Sequence, residues 1–177
     1  MLGSHYPYNY NETAEDLGTD KSTMYSQSRG SLYIVGQYLD MLRELGVYDS
    51  STIIITGDHG KWFLTNEPLT TASCPILLVK PAQSAEEAQQ PLQVSDAPVS
   101  HANIHASIME SIGLDYHDYG ESVWDVMACD NSNRVRYYYT TTTVSRKETA
   151  IVEYAITGDA GIISNWQLTG ISWNPNE

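Results

Sequence analysis

Asp58 and His59 follow directly on the run Ser51-Thr52-Ile53-Ile54-Ile55-Thr56-Gly57 and are closed off by Gly60. A carboxylate beside an imidazole at the end of an apolar run makes a partial metal site. That donor pair suits zinc or manganese better than magnesium or calcium. Two adjacent ligands do not complete a coordination sphere, so the other donors must come from elsewhere. The same residues also fit a plain turn in which Asp58 accepts backbone N–H bonds and His59 lies at the surface, because short motifs recur by chance. His101 and His105 form a second pair. Their spacing of four puts both rings on one helix face, where they could hold a metal. Ile104, Ile108 and Ile112 run on an adjacent stripe, so packing alone also accounts for that helix.

The elements that must position Asp58 and His59 are legible in the flanking pattern. Leu32, Val35, Leu39, Leu42 and Leu45 recur at spacings of three and four, which predicts an amphipathic helix over roughly 31–45. Gly46 is its C-cap, and Val47-Tyr48-Asp49-Ser50 turns into the Ile run. β-Branched residues fill strands covered on both faces, and in open α/β sheets ligands gather where such strands end. The run is therefore expected to be a buried parallel strand, with Gly57 and Gly60 letting the backbone turn at its tip.

Together with Tyr38-Leu39-Asp40 and Leu45 to Thr52, the segment Thr56-Gly57-Asp58-His59-Gly60 resembles the C-terminal half of the sulfatase-like branch of the alkaline phosphatase superfamily. Cys74-Pro75-Ile76-Leu77-Leu78-Val79-Lys80-Pro81 resembles that family's next strand. Pro98-Val99-Ser100-His101-Ala102-Asn103-Ile104, on through Ile108, Ile112 and Gly113-Leu114, resembles the helix after it, and Tyr119 to Trp124 the short segment that follows. These segments span about three quarters of the chain, in the family's order. The resemblance implies an α/β fold, part of an alkaline-phosphatase-like sandwich with a mostly parallel central sheet. It implies one divalent metal ion (manganese, zinc, calcium or magnesium) held in part by Asp58 and His59. A histidine at the position of His101 is common in relatives, where it supports the fold.

Gly3-Ser4-His5-Tyr6-Pro7-Tyr8 resembles the segment through which membrane-anchored phosphoglycerol and phosphoethanolamine transferases contact a phosphorylated substrate. His5 is then the candidate substrate-binding residue, able to hold a phosphate oxygen or protonate a leaving alkoxide; the alternative is a terminal residue with no role. Lys61 departs from the phosphoethanolamine branch, which usually has Glu there and a second histidine soon after, so phosphoglycerol transfer or sulfate ester hydrolysis is the nearer match.

The family's nucleophile lies well upstream of the Asp-His pair, and nothing in residues 1–57 reads as strand, nucleophile, helix. Thr13, Thr19 and Thr23 stand in a polar, acidic, turn-rich stretch. The expectation is a C-terminal portion of a larger enzyme, with its nucleophile absent and the chain inactive alone. Its partners would be the upstream half of the same protein and a sulfate or phosphate ester of a glycan, lipid headgroup or polyol. The alternative is a non-catalytic binding or structural module.

A length of 177 residues suffices for a core, and a formal charge of −13 argues against nucleic acid. That charge also requires a metal to offset repulsion of a phosphorylated substrate. No run reaches the roughly twenty apolar residues of a membrane helix, so this piece is expected to be soluble. The transferases it resembles carry transmembrane helices ahead of an extracytoplasmic domain, which implies that location and anchoring for the full-length protein. Cys74 and Cys129 could pair, but Cys74 opens an apolar strand and reads as a buried free thiol. Asn9 to Lys21 is an acidic loop and Ala82 to Asp96 a surface excursion. Arg134 to Thr143 and Thr149 to Thr157 alternate polar with apolar or aromatic residues, with a turn at Val144 to Glu148. They predict a small antiparallel β subdomain over 131–177, after an α/β domain over 1–130. The Tyr137-Tyr138-Tyr139 run could stack on a sugar, but tyrosine and threonine are also simply good strand residues.

Overall fold

The computed structural model describes residues 5–60, 73–84, 91–130, 134–142 and 147–174, with side chains of 139–142 and 147–149 excepted. Gly3, Ser4, Lys61 and 144–146 of the expected turn at Val144 to Glu148 therefore lie outside the described residues. The chain divides into two compact units, Met1–Ser51 with Ala82–Gln90, and Thr52–Pro81 with Pro91–Glu177.

In the first unit a loop leads into α1 (Met24–Glu44). The helix starts eight residues before the leucine stripe does, because Thr23 caps it: its hydroxyl accepts the Ser26 N–H at 3.0 Å. Its end needs Gly46, whose φ of 70° is a left-handed value. The Gly46 N–H then reaches Arg43 O at 2.9 Å and the Val47 N–H reaches Leu42 O at 3.0 Å. Only Gln27 and Gly30 are buried on α1. Leu32 and Leu45 are exposed, while Val35, Leu39 and Leu42 are part-buried.

The second unit opens with β1 (Ile53–Thr56), paired with β2 (Leu77–Lys80) in antiparallel register from Ile53↔Lys80 to Thr56↔Leu77. This overturns the expected alkaline-phosphatase-like sandwich: among the described residues there is no parallel sheet, and the chain is a small mixed α/β structure with two antiparallel sheets. A β-branched run favours a strand but carries no information about its direction. Direction depends on the connection; a parallel pair needs a crossover that restores it, whereas here β2 returns beside β1 in the opposite sense. Nor is the Ile run covered on both faces, since Ile53 to Ile55 are part-buried and Thr56 is exposed.

The second helix, α2 (Ala102–Ser111), buries Ala106 and Ser107, not the isoleucine stripe; Ile108 and Ile112 stay exposed. Ser107 Oγ donates to Asn103 O at 2.6 Å and accepts the Val123 N–H at 2.9 Å, and Asn103 Nδ2 donates to Glu121 O at 2.9 Å. These bonds fasten the segment around the fully buried Ser122 to the helix. The alternating C-terminal segments form one antiparallel sheet of β3 (Arg134–Thr142), β4 (Lys147–Ile156) and β5 (Trp166–Trp173) in the order β3-β4-β5. Its buried apolar pair, Ile156 and Trp166, are register partners, and the Trp166 indole N–H donates to Ala160 O at 2.8 Å. No helix among the described residues is long and apolar enough to cross a membrane.

Candidate functional site

At the end of β1 the backbone turns through Gly57, and Asp58 and His59 leave it side by side. Asp58 Oδ1 accepts the His59 N–H at 3.0 Å, which closes the turn. His59 Nε2 lies 3.9 Å from the same oxygen, with the two side chains 55% and 92% exposed for His59 and Asp58 respectively. The imidazole Nδ1 sits 2.6 Å from Gly60 O. A carbonyl only accepts, so that contact places the proton on Nδ1 and the lone pair of the neutral ring on Nε2, the nitrogen that faces the carboxylate. Metal-binding histidines are commonly oriented by such a bond from their other nitrogen. The pair offers two of the donors that a divalent cation would need. Among the described residues, no cluster of three or more His, Cys, Asp or Glu side chains is gathered that could hold a metal.

The turn has a neighbour that sequence spacing did not point to. Thr56 Oγ1 stands 2.9 Å from Ile76 O and 3.1 Å from His101 Nε2. His101 thus ties the start of α2 to the tip of β1, two residues before Asp58. His105 does something else: its ring lies against Tyr119, centroids 4.2 Å apart. The two histidines have different partners, and the helical spacing of four does not translate into a shared ligand position.

His5 belongs to the first unit and is exposed. Its Nδ1 lies 2.6 Å from Tyr6 O, and its own carbonyl accepts from Gln27 Nε2 at 3.0 Å. Gln27 was not among the residues that the sequence marked for function. The available signal was Gly30 three residues on, a small residue on the same helix face, which permits close backbone approach. A Cβ at Gly30 would meet Asn11 O at 2.3 Å.

The cysteines do not pair. Both are free and exposed, which corrects the expectation that Cys74 is buried. Cys74 Sγ contacts Ala160 O at 3.5 Å; partial desolvation, then Asp159, pushes its thiol pKa up. Cys129 donates to Asp96 Oδ2 at 2.8 Å, and that bond raises the thiol and lowers the carboxyl. Tyr137 packs edge-on against Trp173, centroids 5.5 Å apart, so its ring edge serves the sheet. No family model, curated protein or solved structure matches the chain.

Proposed function

We propose that this chain supplies two metal ligands and a substrate-binding histidine to a metal-dependent, sulfatase-like hydrolase or transferase of sulfate or phosphate esters, whose nucleophile lies upstream. The observation that carries this reading is the turn after β1, where Asp58 and His59 present a carboxylate and an oriented imidazole to solvent from adjacent positions. The motif resemblance around Thr56-Gly57-Asp58-His59-Gly60 supports it independently of strand direction.

In this reading each residue has a separate task. Asp58 and His59 hold the cation. His101, through Thr56, holds the strand tip from which they project. His5, in the first unit, is by itself the candidate contact for an anionic oxygen of the substrate. A bound divalent cation would supply charge neutralisation at the ester oxygens and a lowered pKa for the hydroxyl nucleophile. The chain alone does not turn over substrate, and the intact protein works on the extracytoplasmic side of a membrane on a phosphoglycerol-like or sulfate ester.

The test is made in the intact protein, with chromogenic phosphate and sulfate monoesters and with manganese or zinc titrated by calorimetry. Asp58→Ala and His59→Ala should each weaken metal binding by at least about a hundredfold and abolish turnover. Wild-type activity in either variant would rule the assignment out.

A further inference from the structure

We propose that Gln27 is a positioning residue for His5, anchoring the backbone from which the imidazole reaches an anionic ester oxygen; this rests on the reading of His5 given above. Gln27 is 1% exposed and is among the largest fully buried side chains of the described residues. A buried amide must spend both its donor and its acceptor capacity. Here bonds of both kinds go to one short stretch of loop. Gln27 Oε1 accepts the Asn9 N–H at 2.8 Å and the Tyr10 N–H at 3.3 Å, while Nε2 donates to His5 O at 3.0 Å. One helical side chain therefore clamps three points of the segment that begins with His5.

The rest of the loop is tied so that this clamp holds. Asn9 O accepts the Leu17 N–H at 2.8 Å, its Oδ1 accepts the Asp20 N–H at 3.0 Å, and the Ser22 N–H bonds Tyr8 O at 2.9 Å. Gly30, one turn along α1, admits Asn11 O where no side chain would fit. His5 itself is exposed, with its carbonyl held by Gln27 and its ring Nδ1 2.6 Å from Tyr6 O. An exposed, titratable ring on a backbone anchored by a buried amide is the arrangement expected of a ligand-contacting side chain, because the anchor lowers the entropy lost on binding.

The clamp has two separable halves, which makes it testable. In Gln27→Glu an oxygen remains for Asn9 and Tyr10, but the N–H that His5 O accepts is gone. The experiment uses the intact protein with manganese or zinc present. Inorganic phosphate is titrated while the His5 ring is followed by NMR, and hydrogen exchange at Asn9 and Tyr10 reports the loop. The expected result is that phosphate shifts the His5 ring in the wild type, and that Q27E binds it about tenfold more weakly, the worth of roughly one hydrogen bond, while both amides stay protected. Equal phosphate affinity in Q27E and wild type would overturn the role of Gln27. Unchanged phosphate binding in His5→Ala would instead overturn the reading of His5. If Q27E loosens the loop, the wild type decides: saturating phosphate should move the Gln27 side-chain NH2 resonance together with the His5 ring, and an unmoved NH2 overturns the proposal.

Discussion

At the scale of single residues, charge and short-range geometry set what each group can do. Asp115 and His117 show this outside the candidate site. His117 Nδ1 lies 2.8 Å from Asp115 Oδ1, and this contact, with the charge of Asp115, raises His117 above its ordinary value of 6.5. The same bond lowers Asp115 below its ordinary 3.8. The signs then fix the pH window. The raised histidine contributes fully below the ordinary histidine value, and its contribution fades as pH rises through the elevated one. The depressed carboxyl contributes above the ordinary carboxylate value and fades as pH falls through the depressed one. The pair is therefore intact in mildly acidic solution and lost at alkaline pH. An NMR titration should find His117 above the ordinary histidine range, and Asp115→Asn should bring it back; an unchanged titration would mean the pair does not form in solution. The sequence showed Asp58 and His59 because their types and adjacency are themselves the signal. It did not show Gln27, whose importance lies in what it faces across 17 to 22 residues of chain, nor Thr56 and His101, which meet across 45.

At the scale of elements, the helix ends obeyed local rules and the sheet did not. Gly46 was legible as the end of α1 because it acts through bonds a few residues away, whereas Thr23, read as part of a turn-rich stretch, caps the helix well ahead of the start expected near 31. Replacing Thr23 with Ala should cost about 1 kcal/mol in urea unfolding, the usual value of a lost N-cap. Gly30→Ala should cost more, roughly 1–3 kcal/mol, since its Cβ would press into Asn11 O and backbone must shift. A Gly30→Ala protein as stable as wild type would show that the loop does not seat on α1 as described. The direction of β2 against β1 is of another kind. It depends on where the chain goes between Gly57 and Ile76, and an Ile-Ile-Ile run is equally content in either sense. Alternation in the C-terminal third was more informative, because a period of two with turns between implies neighbouring antiparallel strands. There Trp166→Ala should cost about 3–5 kcal/mol, as expected when a buried aromatic that also donates to Ala160 O is removed.

At the scale of the whole molecule, the imbalance between apolar side chains and buried ones is the informative quantity. Among the described residues the buried apolar side chains are Ala106, Ile156 and Trp166, all in the second unit. The buried positions of α1 are a glutamine and a glycine, although the helix carries a full leucine stripe. Leu32 is 53% exposed and Leu45 71%, with Tyr38 and Met41 similarly open. Leu32 and Leu45 are thus the open ends of a stripe whose middle residues Val35, Leu39 and Leu42 are part-buried, and covering a leucine is worth about 1.5–3 kcal/mol. The proposed upstream half of the same protein would supply such cover, and a test separates a covered face from a bare one. Leu32→Lys and Leu45→Lys should change the stability of the 177-residue chain by no more than about 0.5 kcal/mol, as substitutions at open positions do. In the intact protein each should destabilise by about 1.5–3 kcal/mol in urea unfolding, because the lysine then replaces a leucine inside an interface. If both substitutions are as mild in the intact protein as in the chain alone, no upstream segment covers this face of α1, and the two-part enzyme loses its structural support.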